Sequence, residues 1–220
     1  TGVQTCALPI YYMISIEKKE LGNSDRFHRA NLINCLTGTK PALLIGTRSR
    51  SGVNNLALFS NVFHLGADPA MVGFVQRPLT SLSHTYKNII ETGWFTVNHI
   101  NVSLVARAHH TSAKFPDGVS EFVACGIEEE MVEPVPVPFV KESAVRFAAR
   151  FLREVFIDEN NTRLVLANIE SVHIKEGVLG KDGNIDFSLG NTVAVAGLEK
   201  YYNVASLATF AYAKVEKNAP

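Results

Sequence analysis

The residues best suited to chemistry in this sequence cluster around the start of a predicted helix. Ser83 and Thr85 place their hydroxyl groups beside the free backbone N–H groups of its first turn. Such a turn favours negative charge, because its unpaired N–H groups and the helix dipole both attract an anion. Arg77 lies just upstream and can add a charge-assisted contact to a phosphate. These three residues therefore predict a phosphate clamp.

A second polar pair lies one strand earlier in the chain. Ser60 and Asn61 carry hydrogen-bonding side chains at the end of an otherwise apolar strand. A slot with a few polar groups beside a phosphate clamp suits a flat, phosphorylated heteroaromatic ligand. The residues also leave a structural alternative open, in which Ser83 only caps a helix and Asn61 only satisfies a turn.

The sequence offers little support for other kinds of site. It contains no G-x-G-x-x-G dinucleotide loop, no P-loop and no G-x-S-x-G nucleophile motif. His109 and His110 would point about 100° apart on a helix, which favours one buried and one exposed histidine over a shared metal ion. Cys6, Cys35 and Cys125 are odd in number and widely spaced, which fits neither a disulfide framework nor a Cys-x-x-Cys site.

Composition limits the class of protein. Of the 220 residues, 46% are hydrophobic and 19% are charged, so the chain can bury a core without disulfides or metals. The 21 Lys plus Arg balance the 21 Asp plus Glu, which argues against dedicated nucleic-acid binding. The best apolar run, Val204 to Ala213, is far shorter than the roughly 20 residues of a membrane span. We expect a cytoplasmic protein with no nucleic-acid and no membrane partner.

The first residues do not look native. Thr1 to Ile10 resembles the translation of a sequencing-library adapter, and the natural start is expected near Met13. The apolar stretch after Cys6 lacks the basic start and the cleavage site of a secretory signal. We predict a non-native extension over residues 1–12 and a single domain over residues 13–220. A genuine N-terminal extension is the alternative.

Three helices are predicted from capping residues and apolar spacing. The first begins at a Ser24 cap and ends at Gly38, with an apolar face formed by Phe27, Ala30, Ile33 and Leu36. The second runs from Ser83 to Glu91, with Gly93 beyond its end. The third covers Leu104 to His110.

Most other segments show the apolar runs or the alternation typical of strands. The predicted strands are Ala42 to Gly46, Leu56 to Val62, Met71 to Val75, Phe95 to His99, Val145 to Phe151, Val165 to Val172, Thr192 to Ala196 and Leu207 to Tyr212. Val132 to Pro138 alternates Val and Pro, which suits an extended connector. This order predicts a mainly β chain with α insertions, folded as a β-barrel.

Two groups of motifs follow one another along the chain. The first comprises Gly52-x-Asn54-Asn55-Leu56-Ala57-x-Phe59-Ser60-Asn61, Asp68-Pro69, Arg77-Pro78, Ser83-His84-Thr85-x-x-Asn88-Ile89 and Glu91-Thr92-Gly93-x-Phe95-x-Val97-Asn98. The second comprises Ala108-His109-His110-Thr111-Ser112-Ala113-Lys114-Phe115, Ser120-Glu121-Phe122, Ala124-Cys125-Gly126 and Gly197-Leu198-x-x-Tyr201-Tyr202. Their order and spacing resemble the flavin reductase-like family of FMN-binding split barrels, over most of the chain from Asp25 onward.

The resemblance implies a split β-barrel that binds FMN, in a homodimer with the flavin near the subunit interface. The family's ring-binding strand positions match Leu58, Phe59, Ser60 and Asn61, and its phosphate-binding positions match Ser83 and Thr85 with Arg77 close by. The loop over the ring's open face matches His110, Thr111 and Lys114, and the same motifs add Asn55 and His84.

The resemblance also implies an activity. A flavin reductase-like enzyme would transfer hydride from NADH or NADPH to flavin, with a partner oxygenase or redox protein as acceptor. One alternative is a flavoredoxin-like FMN electron carrier that serves a protein partner. Another is a flavin-free dimeric scaffold, because the sequence has Leu58-Phe59 where small and hydroxylated residues are commoner in the family.

Overall fold

The chain forms a large antiparallel sheet with short helices inserted between its strands. The computed structural model describes residues 12–214. The helices are α1 (Lys18–Asn23), α2 (Arg26–Leu36), α3 (His84–Thr92), α4 (Val105–His110) and α5 (Glu121–Ala124). The strands are β1 (Lys40–Pro41), β2 (Leu43–Arg48), β3 (Asn54–Phe59), β4 (Val62–Ala67), β5 (Ala70–Gln76), β6 (Trp94–His99), β7 (Glu129–Glu130), β8 (Phe139–Val140), β9 (Val145–Ile157), β10 (Thr162–Ile174), β11 (Val193–Ala196) and β12 (Lys200–Asn203). The mainly β architecture with α insertions is as predicted.

Seven strands make up the main sheet, in the order β3-β2-β6-β9-β10-β5-β4. The first and last of these, β3 and β4, are consecutive in the chain and are separated only by Ser60 and Asn61. The sheet must therefore curve until its two edge strands meet at that corner. Two smaller sheets, β1-β11-β12 and β7-β8, complete the strand pairing.

The described residues form three core clusters, of which the two largest share strand β2. Strand β2 is buried on both faces, so Leu43 and Ile45 enter one cluster and Leu44 enters the other. The first cluster includes the rings of Phe74 and Phe95, and the Phe59 ring packs against it. The second cluster packs α4 and α5 against the sheet, through residues such as Leu104 and Phe122. Apolar burial of this extent stabilises both the sheet and the helices that line its edge.

Helix α3 is fixed by its buried face and by its end. Ile89 is buried, and Asn88 donates a hydrogen bond from Nδ2 to Thr47 Oγ1 on β2 at 3.0 Å. Gly93 ends the helix with a φ of +77°, a conformation that glycine adopts without a steric penalty. The predicted helix is confirmed, and its N-terminus is held beside β3.

The strand prediction was wrong at the corner between β3 and β4. The predicted strand over Leu56 to Val62 is interrupted at Ser60-Asn61, and β4 was missed. The Asn61 side chain there hydrogen-bonds to the backbone of β5, which turns the chain. Strand β4 is an exposed edge strand with a register shift between His64 and Gly66, so it lacks a clear alternation.

The last predicted strand is also wrong. Leu207 to Tyr212 has no strand structure, and the final strand is β12, which pairs with β11 across a turn at Gly197. Leu207 and Phe210 are 100% and 88% exposed. An apolar run forms a strand only where a neighbouring edge accepts it, and residues 12–214 offer this run none.

Helix α2 occurs where it was predicted, with two differences. Its cap is Asp25 rather than Ser24, because the Asp25 carboxylate accepts from the N–H groups of Phe27 and His28 at 2.9 and 3.0 Å. The helix has no buried residue, so its apolar positions are not covered by the described part of this chain.

The predicted N-terminal extension lies outside the described residues except for Tyr12. No helix within residues 12–214 has the length and apolar character needed to cross a bilayer. The cytoplasmic location and the single-domain boundary at residue 13 stay predictions.

A histidine at the end of β6 gives the fold a testable pH dependence. Burial lowers the pKa of His99 from 6.5 to about 4, and its ring stacks on Phe187. Between these two pH values the unfolded chain binds more protons than the folded chain, so stability rises with pH. We expect the free energy of unfolding to fall by about 3 kcal/mol more in wild type than in His99→Phe between pH 7.5 and pH 4. Urea unfolding at several pH values measures this difference, and parallel curves for the two proteins would contradict it.

Candidate functional site

A groove runs along the open side of β3, from the β3–β4 corner to the start of α3. Its barrel end has a volume of about 460 Å³ and is lined by Leu58, Phe59, Ser60, Asn61, Val75, Gln76, Arg77, His109, Ser112, Val195, Gly197, Leu198 and Glu199. Its helix end has a volume of about 400 Å³ and is lined by Asn55, Ala57, Leu58, Phe59, Gln76, residues 80–86, residues 111–115 and Glu121. Four residues line both ends, so the groove is continuous. Its size is in the range of small-molecule sites.

The apolar wall of the groove is supported by the core beneath it. Phe59 contacts Phe74 edge-to-face with a centroid distance of 5.3 Å, and Phe74 contacts Phe95 in the same way at 5.8 Å. Such contacts fix ring orientation as well as burying area. Leu58 is half-buried on the opposite face of β3, where it packs against the second core cluster. The wall therefore presents a pre-organised apolar surface that suits a flat ring.

Asn61 contributes an unpartnered acceptor to this end of the groove. Its Nδ2 donates to the carbonyl of Val75 at 2.7 Å, while its buried Oδ1 has no hydrogen-bond partner. A buried polar atom without a partner is costly, so such an atom often marks a place where a ligand completes the bonding. Oδ1 can accept from an N–H or O–H group of a bound molecule.

The helix end gathers hydroxyl groups around the first turn of α3. Ser83 occupies the cap position, but its Oγ accepts from the Thr80 N–H at 3.0 Å and makes no cap hydrogen bond. The buried Thr85 Oγ1 accepts from Asn55 Nδ2 at 2.9 Å. Both hydroxyl oxygens act as acceptors within the protein, so both O–H groups remain free to donate to an anion. The N–H groups at the start of α3 add to that site.

The two cations of the groove lie at opposite ends. Lys114 lines the helix end, near the hydroxyl groups, whereas Arg77 lines the barrel end. Neither makes an ion pair within residues 12–214. Of the predicted clamp, Ser83 and Thr85 line the helix end together with Lys114, whereas Arg77 lines the barrel end.

The predicted loop residues are only partly brought together. Thr111 is buried at the helix end, and its Oγ1 donates to the Ala108 carbonyl at 2.8 Å. His110 does not line the groove and packs against the Phe115 ring instead. His109 lines the barrel end, where its Nδ1 lies 3.0 Å from the Tyr201 hydroxyl.

The histidine prediction was wrong in one respect. Both His109 and His110 are exposed, where one buried ring was expected. Ala108 and Val105 of α4 face the core together with the preceding Leu104, and neither histidine does. No group of three His, Cys, Asp or Glu side chains within residues 12–214 could hold a metal ion.

Sequence reasoning missed a buried carboxylate at the helix end. Glu121 is 5% exposed, and its Oε2 accepts from the Leu56 N–H of β3 at 3.0 Å. Burial raises the pKa of its carboxyl, although that hydrogen bond opposes the shift. The sequence feature that could have indicated this role is the position of Glu121 next to the apolar Phe122, at the start of a short helix. Glu121 ties α5 to β3 and so helps to fix the groove.

His84 lies at the same end, with one ring nitrogen buried. Its Nε2 has no hydrogen-bond partner and lies 3.9 Å from Asp117 Oδ1.

All of the predicted site residues except His110 line one end or the other of this groove.

Comparison with known proteins assigns this architecture to a family. The family model described as the flavin reductase like domain matches residues 37–188 of the chain. The chain belongs to the flavin reductase-like family. The resemblance seen in the sequence motifs is thereby confirmed.

Solved structures agree with the family assignment. A crystal structure from Shewanella frigidimarina NCIMB 400, described as a candidate flavin reductase with a split barrel domain, is 37% identical to this flavin reductase-like chain. It superposes with a TM-score of 0.88, and the match covers 91% of this chain and 100% of that one. The predicted split-barrel fold is confirmed.

Two more distant structures share the fold of this flavin reductase-like chain. Nitrilotriacetate monooxygenase component B from Bacillus cereus is 22% identical with a TM-score of 0.78, over 91% of this chain and 100% of that one. The flavoredoxin of Desulfovibrio vulgaris (Miyazaki F) is also 22% identical, with a TM-score of 0.68, over 79% and 91% of the two chains. At these identities the likeness shows the fold alone.

Proposed function

We propose that the groove binds FMN and that the protein transfers hydride from NADH or NADPH to the flavin. The observation that carries this proposal is the continuity of the groove, which joins an apolar wall at Phe59 to an anion site at the start of α3. FMN combines a flat ring with a terminal phosphate, so its two ends match the two ends of the groove. When bound, the flavin supplies the redox chemistry.

The barrel end would hold and shield the ring. Phe59 and Leu58, which lie on opposite faces of β3, would contact its apolar part. The Asn61 Oδ1, which lacks a partner, accepts a hydrogen bond from an N–H donor at the polar edge of the ring. These contacts would position the ring rather than perform acid–base chemistry.

The helix end would hold the phosphate. Ser83 and Thr85 donate their free O–H groups, the first turn of α3 donates backbone N–H groups, and Lys114 supplies positive charge. Arg77 remains at the barrel end, where it is available to the phosphates of the nicotinamide co-substrate. FMN would thus be bound by Lys114, and the nicotinamide co-substrate by Arg77.

We also propose that the protein works as a homodimer and passes electrons to a partner oxygenase or redox protein. Apolar side chains that residues 12–214 leave exposed support a subunit interface; they include Met13, Phe27 and Leu36. The fold shared with a monooxygenase component B supports the class of partner. Sedimentation analysis tests the dimer, and a monomer at micromolar concentration would contradict it.

Oxidation of NADH and NADPH with added FMN tests the activity. We expect steady oxidation that depends on the protein and on FMN, measured against a control that lacks protein. Bound FMN without NAD(P)H oxidation would contradict the enzyme and favour the flavoredoxin-like electron carrier. If the protein neither binds FMN nor oxidises NAD(P)H, the flavin-free scaffold is the function that remains.

A further inference from the structure

Helix α3 is tied to the main sheet by two side-chain hydrogen bonds that reach different strands. Asn88, in the middle of the helix, donates to Thr47 of β2, as described above. Tyr86, in the first turn, donates from its hydroxyl group to Glu154 Oε2 of β9 at 2.8 Å. Tyr86 also lines the helix end of the groove and packs against the first core cluster. The second hydrogen bond therefore holds the turn that offers the anion site.

An ion pair and two aromatic contacts hold the acceptor of this hydrogen bond in place. Arg163 Nε on β10 lies 3.4 Å from Glu154 Oε1, so the carboxylate uses one oxygen for Tyr86 and the other for Arg163. The Arg163 guanidinium lies over the rings of Tyr86 and Phe156, with centroid distances of 5.6 and 5.0 Å. Each aromatic face attracts the cation. Tyr86, Glu154 and Arg163 thus form one network, in which each side chain contacts the other two.

This network presents a neutral donor to Glu154 and a compensated charge to the groove. The Glu154 carboxylate alone would repel a phosphate, but the Arg163 guanidinium beside it offsets the negative charge. Burial raises the pKa of the Tyr86 hydroxyl, and so does its hydrogen bond to Glu154. The phenol therefore keeps its proton and remains a donor at neutral pH.

The turn that Tyr86 belongs to depends on being held in a fixed direction. Ser83 occupies the cap position without making a cap hydrogen bond, so its side chain leaves the N–H groups of the first turn available. Thr85 precedes Tyr86 in the chain and lines the same end of the groove. Hydrogen bonds weaken steeply when donor and acceptor are misaligned. A rotation of this turn would therefore weaken several contacts to an anion at once.

We propose that Glu154 positions the phosphate-binding turn of α3 by holding Tyr86. The inference rests on the proposed function, since it concerns the phosphate end of the same groove. Glu154 lines neither end of the groove, so it acts through Tyr86 and is a positioning residue. The part of the ligand whose binding depends on Glu154 is the phosphate and not the ring.

Titrations with FMN and with riboflavin separate the phosphate from the ring, because riboflavin is FMN without its phosphate. We expect Tyr86→Phe and Glu154→Leu each to raise the Kd for FMN about tenfold, since each breaks the hydrogen bond between the two side chains. The Kd for riboflavin should stay within about twofold of wild type. The double variant should bind FMN as well as either single variant does, because both changes remove the same contact.

A conservative substitution and a remote one provide the controls. Glu154→Gln keeps an oxygen that can accept from Tyr86, and its Kd for FMN should stay within about twofold of wild type. Tyr202→Phe removes the hydroxyl group of a tyrosine on β12 that lines neither end of the groove, and it should change neither Kd. Thermal unfolding confirms that the variants fold.

Hydrogen exchange of the Lys87 amide gives a second measurement that needs no ligand. This N–H donates to the Ser83 carbonyl at 3.0 Å and closes the first turn of α3. We expect it to exchange faster in Tyr86→Phe and Glu154→Leu than in wild type, because a turn with fewer contacts opens more often. NMR spectroscopy of the protein without flavin measures the rate.

Two results would overturn the positioning role of Glu154 while the flavin site stands. One is an equal loss of affinity for FMN and riboflavin in the two variants, and the other is no loss for either. A wild-type protein that binds neither flavin would instead contradict the proposed function. The Lys87 exchange rate then decides alone, and an unchanged rate in Glu154→Leu would show that Glu154 does not hold the turn.

Discussion

We expect Ser83→Ala/Thr85→Ala to bind FMN about a hundredfold more weakly than wild type. Each change removes one hydroxyl group that is free to donate to the phosphate. The Thr85 change also leaves the buried Asn55 Nδ2 without its acceptor. Titration with FMN, followed by flavin fluorescence, measures the loss.

A matched control separates this effect from a general effect of the substitutions. Ser103→Ala/Thr37→Ala removes the same two hydroxyl types at exposed positions that do not line the groove. We expect that variant to keep the wild-type Kd. An unchanged Kd in the Ser83/Thr85 variant would remove the start of α3 from the phosphate site.

Phe74→Ala should lower the free energy of unfolding by about 4 kcal/mol. Phe74 is 1% exposed and lies between the rings of Phe59 and Phe95, so its removal leaves a cavity under the groove wall. Phe59 then loses the edge contact that orients it, and FMN affinity should fall as well. Urea unfolding measures the stability change, and the flavin titration measures the second effect.

The same substitution at an exposed phenylalanine gives the control. Phe210 is exposed, so Phe210→Ala should change stability by less than about 0.5 kcal/mol. A loss below about 1 kcal/mol in Phe74→Ala would show that the edge-to-face contacts of Phe74 do not support the groove wall.

The elements that local signals specify could be predicted from the sequence. Helix α3 has a polar start, a periodic apolar face and Gly93 at its end. The long strands β9 and β10 contain the predicted strands Val145 to Phe151 and Val165 to Val172. Elements defined by their neighbours could not be predicted. Strand β4 is an edge strand without a strong pattern, and β12 exists because β11 offers it a partner.

In the site, too, the features that depend on local sequence could be predicted, and those that depend on distant contacts could not. The motifs around Phe59, Ser83 and Lys114 predicted residues that line one groove. Each motif is local in sequence, and the family resemblance indicated that the three motifs belong to one site. The separation of Arg77 from Ser83 was not visible, because the segment 78–82 carries the chain from one end of the groove to the other. Glu121 was missed because its role depends on a contact with β3, 65 residues away in sequence.

The absorption spectrum of the protein after addition of FMN and removal of the excess tests the central claim most directly. We predict that the two-banded flavin spectrum survives desalting, since the groove supplies both a ring site and a phosphate site. A colourless protein after desalting would contradict stable binding of FMN in this groove.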